Sequence, residues 1–340
     1  MSPSRSVHLS LAIVAVIALV AGCTGGTGGL GAVPTSAPTA SAEPTGPDLT
    51  PGASGSPTPS DEPTISSEPS DEPTASADTT SAPTSAPSKT AAPAATMIVR
   101  AYFVLGGEPG VAGLVPVLRE VPKSTAVAAA SMKALLAGPT ASESGDRRIS
   151  TAIPEGTTLK SISAKNGVAT VDLSTEFDSG GGSASMQYRL AQVVYTLTQF
   201  GTIKSVVFQI DGETVTVFGS EGIVLDGPVG RADYFDQLPA IFVDRPAFRA
   251  GFASGGRVSG NADVFEATFR IAILDANGQS LVDQQVMATC GTGCRGSFDA
   301  TLPYTVSKGQ WGTLRAYEPS AKDGTPTNVR EYPVWITPGG

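Results

Sequence analysis

Few residues in this 340-residue chain have the type and spacing to do chemistry, and three of them are its only cysteines. Cys23 follows Leu19-Val20-Ala21-Gly22, at the end of an apolar run from Leu9 to Ala21 that is preceded by Arg5. Small side chains before a cysteine give a peptidase access to the backbone. A cut there would leave Cys23 with a free amine and a thiol, both open to acylation. The same cut removes His8, the one histidine in the chain. A chain without histidine cannot assemble a Ser-His-Asp triad, a Cys-His pair or a His-liganded zinc site. Neither a Ser-x-x-Lys motif nor a phosphate-binding Gly-x-x-x-x-Gly-Lys-Ser/Thr loop occurs. No cofactor and no metal site is expected.

The remaining candidates are carboxylates, glycines, thiols and aromatics. Glu176 and Asp178 near a strand end form a carboxylate pair of the kind that hydrolyses glycosides, or else they are solvated loop acids. Gly180-Gly181-Gly182 precedes a helix, where it either cradles an anion or simply feeds the helix. Asp275 and Asn277 resemble the start of a calcium loop whose later ligands are missing, which favours a polar hairpin tip. Trp311 and Trp335 lie in strand-like segments and either line a glycan-binding surface or take core or half-buried sandwich positions, the second being favoured. Cys290 and Cys294 flank Gly291-Thr292-Gly293; a structural disulfide, a redox pair and free thiols are the three readings, and an exported chain favours the disulfide.

Leu19-Val20-Ala21-Gly22-Cys23 resembles the lipobox of a bacterial lipoprotein signal peptide. The alternative is a secretory signal cut at another small residue, with Cys23 an ordinary thiol. The apolar run is shorter than the roughly 20 residues a spanning helix needs. On the lipoprotein reading residues 1–22 are the signal peptide, Cys23 is lipidated, and the protein is held on the outer face of the cell membrane. Residues 23–95 then read as a disordered linker. They are dominated by Pro, Ser, Thr, Ala and Gly, too poor in large apolar side chains to offset the entropy of ordering. Ser60-Asp61-Glu62-Pro63-Thr64 recurs as Ser70-Asp71-Glu72-Pro73-Thr74, which is low complexity rather than a solenoid unit. The linker carries eight acids against Lys89 alone, a net −7 of the chain's −9. Self-repulsion keeps such a tether open, with an r.m.s. span of roughly 45–50 Å. Residues 96–340 hold 20 bases and 23 acids, so nucleic acid is not an expected partner.

Two folded domains are expected beyond the tether. In the first, 96–227, Ile98–Val104 reads as a strand, and Ser124 or Thr125 is placed to cap a helix that Gly138-Pro139 ends. Strands around Thr158–Ser163 and Val168–Leu173 flank an Asn166-Gly167 turn. Met186, Leu190, Val193, Val194, Leu197 and Phe200 make one apolar helix face, with Ser183 or Ser185 as its cap. Val206, Phe208 and Ile210 alternate as a strand, and Asp211-Gly212 turns into Val215–Phe218. The sum is an α+β domain, two helices on one face of a mostly antiparallel sheet. Leu135-Leu136-Ala137-Gly138-Pro139, Ile153-Pro154-Glu155-Gly156-Thr157, Val168–Ser174, Val194–Phe200 and Ile210-Asp211-Gly212 resemble, in order, the GerMN domain of sporulation and spore-germination lipoproteins.

The second domain, 238–337, shows no helix but recurring short strands: Arg257–Gly260, Phe265–Leu274, Ser280–Ala288, Gly296–Pro303, Gly312–Tyr317 and Val329–Ile336. That spacing predicts an all-β sandwich. Val258–Ala262, Phe265-Glu266-Ala267 and Ser320–Gly324 resemble the immunoglobulin-like domain that accompanies GerMN. The resemblance implies a non-enzymatic binding or scaffold lipoprotein of envelope, sporulation or germination assembly. Its expected partners are the membrane, through the lipid, and envelope proteins or peptidoglycan. A carboxylate-dependent wall hydrolase and an accessory lipoprotein of a sensor kinase are the alternatives.

Overall fold

The computed structural model describes residues 95–107, 110–145 and 149–339. The signal, Cys23 and the linker lie outside the described residues, apart from Ala95 at the linker's end. No helix among the described residues is long and apolar enough to cross a membrane.

The first module begins with a long hairpin, β1 (Thr96–Leu105) and β2 (Gly113–Pro122), paired along its full length. Then come helix α1 (Val127–Leu136), the single turn α2 (Ala141–Ser144) and a short strand β3 (Ile149–Ser150) on the edge of β1. A second sheet holds β4 (Leu159–Lys165) and β5 (Val168–Leu173), joined through Asn166 and Gly167, both at positive φ as a tight hairpin turn requires. From β5 the chain crosses over through helix α3 (Ser183–Leu197) to β6 (Ser205–Ile210), which lies parallel to β5. The α+β layout is the one expected, with this one parallel pair inside it. Both α1 and α3 touch both sheets, so the core lies between helices and strands. Met186, Leu190, Val193, Val194 and Leu197 of α3 are fully buried, as their helical spacing demands.

Several local expectations differ from the structure. Gly182 and Ala126, not the neighbouring serines or Thr125, occupy the N-cap positions of α3 and α1. The expected strand Val215–Phe218 splits, because the chain after β7 (Glu213–Thr214) turns into a separate small hairpin, β8 (Val217–Phe218) and β9 (Ile223–Val224). Strand β10 (Val229–Gly230) returns to pair with β6, and a 3-10 segment, Arg231–Gln237, packs on α3.

The second module is all β. One sheet runs β11 (Ile241–Arg245), β13 (Gly256–Ala262) and β16 (Gly296–Leu302). The other runs β12 (Gly251–Ala253), β18 (Pro326–Thr337), β17 (Gln310–Pro319), β14 (Thr268–Leu274) and β15 (Ser280–Met287). Phe269 of β14 and Phe298 of β16 meet edge to face at 4.9 Å between the sheets. Phe265-Glu266-Ala267 is not the start of a strand: Glu266 and Ala267 sit at positive φ in a 3-10 turn.

The two modules form one unit. Arg330 of β18 is 1% exposed, and its guanidinium donates to the carbonyls of Val111, Gly113 and Leu114 at the mouth of β2. A Cβ on Gly113 would come within 2.7 Å of the Pro239 nitrogen, so this close approach needs glycine. Nearby, the Tyr102 hydroxyl donates to Asp244 at 2.5 Å, Arg231 donates to the Tyr102 hydroxyl at 3.2 Å, and the Phe242 ring packs against Tyr195 at 5.8 Å. Replacing Arg330 by Met leaves buried carbonyls unpaired, and is expected to cost about 3 kcal/mol. In denaturant the native head should unfold in one transition, while the Arg330→Met protein loses stability and separates into two.

Candidate functional site

The carboxylate pair sits in the connection from β5 to α3, where Thr175–Asp178 forms a 3-10 turn. Asp178 is an anchor there: its Oδ1 accepts the Gly219 backbone N–H at 2.6 Å, tying the turn to the loop after β8. Glu176 is exposed, and a hydrogen bond from Ser174 holds its carboxyl below the usual range. The helix-leading glycines face a cation rather than an anion. Arg189 of α3, 2% exposed, donates to the carbonyls of Phe177, Ser179, Gly180 and Ala152, so the segment wraps its carbonyls around a guanidinium. Burial lowers the pKa of Arg189.

Cys290 and Cys294 are joined by a disulfide with Cα atoms 5.9 Å apart. The loop is tight: a Cβ at Gly291 would lie 2.4 Å from the Val264 carbonyl oxygen, and Thr292 sits at positive φ. Asp275 closes the hairpin between β14 and β15, its Oδ1 accepting from the Asn277 and Gln279 backbone N–H groups at 2.8 Å each. Among the described residues no group of three or more His, Cys, Asp or Glu side chains is placed to hold a metal.

Two of the concave regions among the described residues bear on these candidates. The larger, about 640 Å³, runs between the end of β2 and α1; Ala129, Ala130 and Ala134 line it, with Lys133 and Arg119 at its edge. The first described residue lies beside it, since Lys123 N–H donates to the Ala95 carbonyl at 2.9 Å. Arg119 grips Glu143 through two hydrogen bonds of 2.9 and 2.7 Å and lies 5.1 Å from the Phe103 ring centroid. Desolvation pushes the Glu143 carboxyl up, but hydrogen bonds from Arg119 and the Thr140 N–H overcome it and leave the pKa lowered. The smaller region, about 240 Å³, is bordered by Trp311, Arg249, Asp275, Thr313 and Pro333 on the second module. Trp311 and Trp335 are cross-strand partners on β17 and β18, 41% and 40% exposed, so neither is a core residue. Arg249 carries no motif and was invisible to spacing arguments; only the fold brings it to Trp311.

With this geometry in hand, comparisons with known proteins divide the chain in the same two places. Residues 100–216 match the Germane family, described as sporulation and spore germination. Residues 240–325 match Gmad2, an immunoglobulin-like domain of bacterial spore germination. Neither description names a catalytic activity. No curated protein matches the chain. Among solved structures, it is similar to the first GerMN domain of the sporulation protein GerM from Bacillus subtilis: 25% identity, covering 40% of this chain and 99% of that one, TM-score 0.34. The tandem GerMN domains of the same protein match at 17% identity over 63% of this chain and 64% of that one, TM-score 0.35. A candidate lipoprotein from Clostridium perfringens matches at 21% identity over 41% of this chain and 89% of that one, TM-score 0.29.

Two tests follow from these groups. Because the Glu143 pKa is depressed in the fold, its stabilisation is complete above the unfolded carboxylate value and is lost as pH falls through the folded value. Glu143→Gln should therefore lower stability by about 1–2 kcal/mol at neutral pH, with the difference closing in acid; melting curves across pH check this. The disulfide closes a short loop, so its reduction should cost about 2 kcal/mol at most. Intact mass should show both cysteines alkylated only after reduction.

Proposed function

We propose that this chain, carrying a GerMN module and a Gmad2 module of the sporulation and germination class, is a membrane-anchored, non-enzymatic binding and scaffold lipoprotein of the cell envelope. Lipid on Cys23 holds it, the acidic linker extends it, and the two modules present a surface to protein partners or peptidoglycan. The observation that carries this reading is the fixed junction between the modules. Arg330 inserts from the second module into the backbone of the first, and the Tyr102, Asp244 and Arg231 cluster seals the same boundary. A junction locked by a buried charge suits a rigid presenting platform. An enzyme of two domains commonly needs the opposite, a hinge that closes over substrate. The placement of Glu176 in solvent and Asp178 on a backbone N–H supports the binding reading over the hydrolase one.

Two measurements test it. Wild-type protein should partition into the detergent phase and the membrane fraction, and Cys23→Ala should move it to the soluble fraction. Purified protein should sediment with wall sacculi, or cross-link to a defined envelope protein in cells, without releasing soluble wall fragments. Release that disappears in Glu176→Gln would replace this reading with a hydrolase.

A further inference from the structure

We propose that the Trp311 and Trp335 pair, together with Arg249, is a carbohydrate subsite that seats one pyranose ring of a glycan strand. The proposal rests on the reading of this molecule as an envelope-facing binding head and names a ligand class and a place for it. The two indoles pack edge to face, centroids 5.4 Å apart at 77°, and each stays partly exposed to solvent. A pyranose ring has an apolar C–H face and a rim of hydroxyls, so it needs an aromatic shelf bordered by hydrogen-bonding groups. Both are present: Arg249, Asp275 and Thr313 border the cavity beside Trp311, and Trp335, outside that lining, backs the Trp311 ring edge to face. At about 240 Å³ the cavity is smaller than drug-sized sites, which run from about 300 Å³, and suits one ring rather than a docked helix.

Arg249 is what separates this surface from an ordinary exposed pair. It sits at φ 59°, a left-handed backbone that a long side chain seldom adopts. Its own N–H donates to Pro333 at 2.8 Å, while Ala250 N–H donates to Ala247 and the Ala250 carbonyl accepts from Trp335 N–H at 2.9 Å, so the turn is tied on three sides. The result sets the guanidinium 4.9 Å from the Trp311 ring centroid. Arg249 forms no ion pair among the described residues, so its donors are open to ligand hydroxyls. Strained backbone of this kind is commonly kept where a side chain must be aimed. Gly309 helps on the other side: a Cβ there would crowd Trp335 Cζ2 at 3.1 Å. One cation beside one carboxylate favours a neutral, hydroxyl-rich ligand over an anionic polymer or lipid surface.

The site reports on itself, because Trp311 and Trp335 are the only tryptophans in the chain. Full-length protein in detergent is titrated with a chito-oligosaccharide while indole emission is followed, alongside a wall stem peptide and anionic vesicles. A saturable change with the sugar alone is expected. Trp335→Ala and Arg249→Gln should weaken it about tenfold or more, with unfolding midpoints near wild type. Arg249→Gln keeps both reporters and the fold, so it remains decisive where a tryptophan variant is destabilised. No sugar response, or a response only to peptide or vesicles, overturns the subsite. Sacculus sedimentation separates the two levels: if Trp335→Ala and Arg249→Gln sediment like wild type, this subsite is wrong while wall binding stands.

Discussion

The arrangement of the two modules depends on one buried cation. Arg330 leaves the second module and ends among backbone carbonyls of the first, fully enclosed. Burial pulls its pKa down to about 10, which still leaves it charged at neutral pH. A charge in that position is tolerable only when it is hydrogen-bonded, and three carbonyls at the mouth of β2 accept from its two terminal nitrogens. Those carbonyls need the guanidinium in return. Each partner would be unsatisfied without the other, so the two modules are stable in one relative arrangement.

That constraint propagates. Gly113 must lack a side chain so that β2 can approach Pro239, and the β1–β2 hairpin then supplies Tyr102 to Asp244 on the facing strand β11. Arg231 stacks 4.6 Å from the Tyr195 ring centroid, joining α3 to the same cluster. Burial pushes the Tyr102 hydroxyl strongly upward, so it stays a donor to Asp244 at any physiological pH. The helix that fills the first core and the strand that opens the second are thereby parts of one packing arrangement.

Much of this was legible in the sequence where the signal is local. Asn166-Gly167 announced its hairpin, the α3 periodicity its buried face, and the motif order both modules. The strand β2 was not legible, because Pro116 and Pro122 interrupt its apolar run; the structure accepts Pro116 because β2 is an edge strand of its sheet, where a missing N–H need not break a ladder. Strand β12 is three residues long and pairs parallel with β18, a partner far along the chain that no local pattern announces. The Phe265–Ala267 strand failed for a backbone reason, positive φ at two successive residues. The junction itself was invisible: Arg330 and Leu114 are 216 residues apart, and nothing in either neighbourhood marks them as partners.

The arginines show how site and scaffold can be told apart. Arg189 and Arg330 are spent on carbonyls, Arg119 on Glu143, Arg295 on Asn261 and the Pro239 carbonyl. Arg257, Arg270 and Arg315 pair across strands with Asp299, Asp283 and Glu331. In every case the guanidinium satisfies the protein's own acceptors, and its role is closed within the fold. Arg249, like Arg100 and Arg245, has no such partner among the described residues, and of these three it is the one set over an aromatic ring. Its backbone is held in a disfavoured conformation, yet the side chain so placed rests on an exposed indole and meets no carboxylate. A cation–π contact at an exposed site is worth only about 0.5–1 kcal/mol, less than the roughly 1–3 kcal/mol such backbone strain costs. The turn's three backbone hydrogen bonds hold the strained residue in place, and they leave the guanidinium on an exposed indole with its donors open to a ligand.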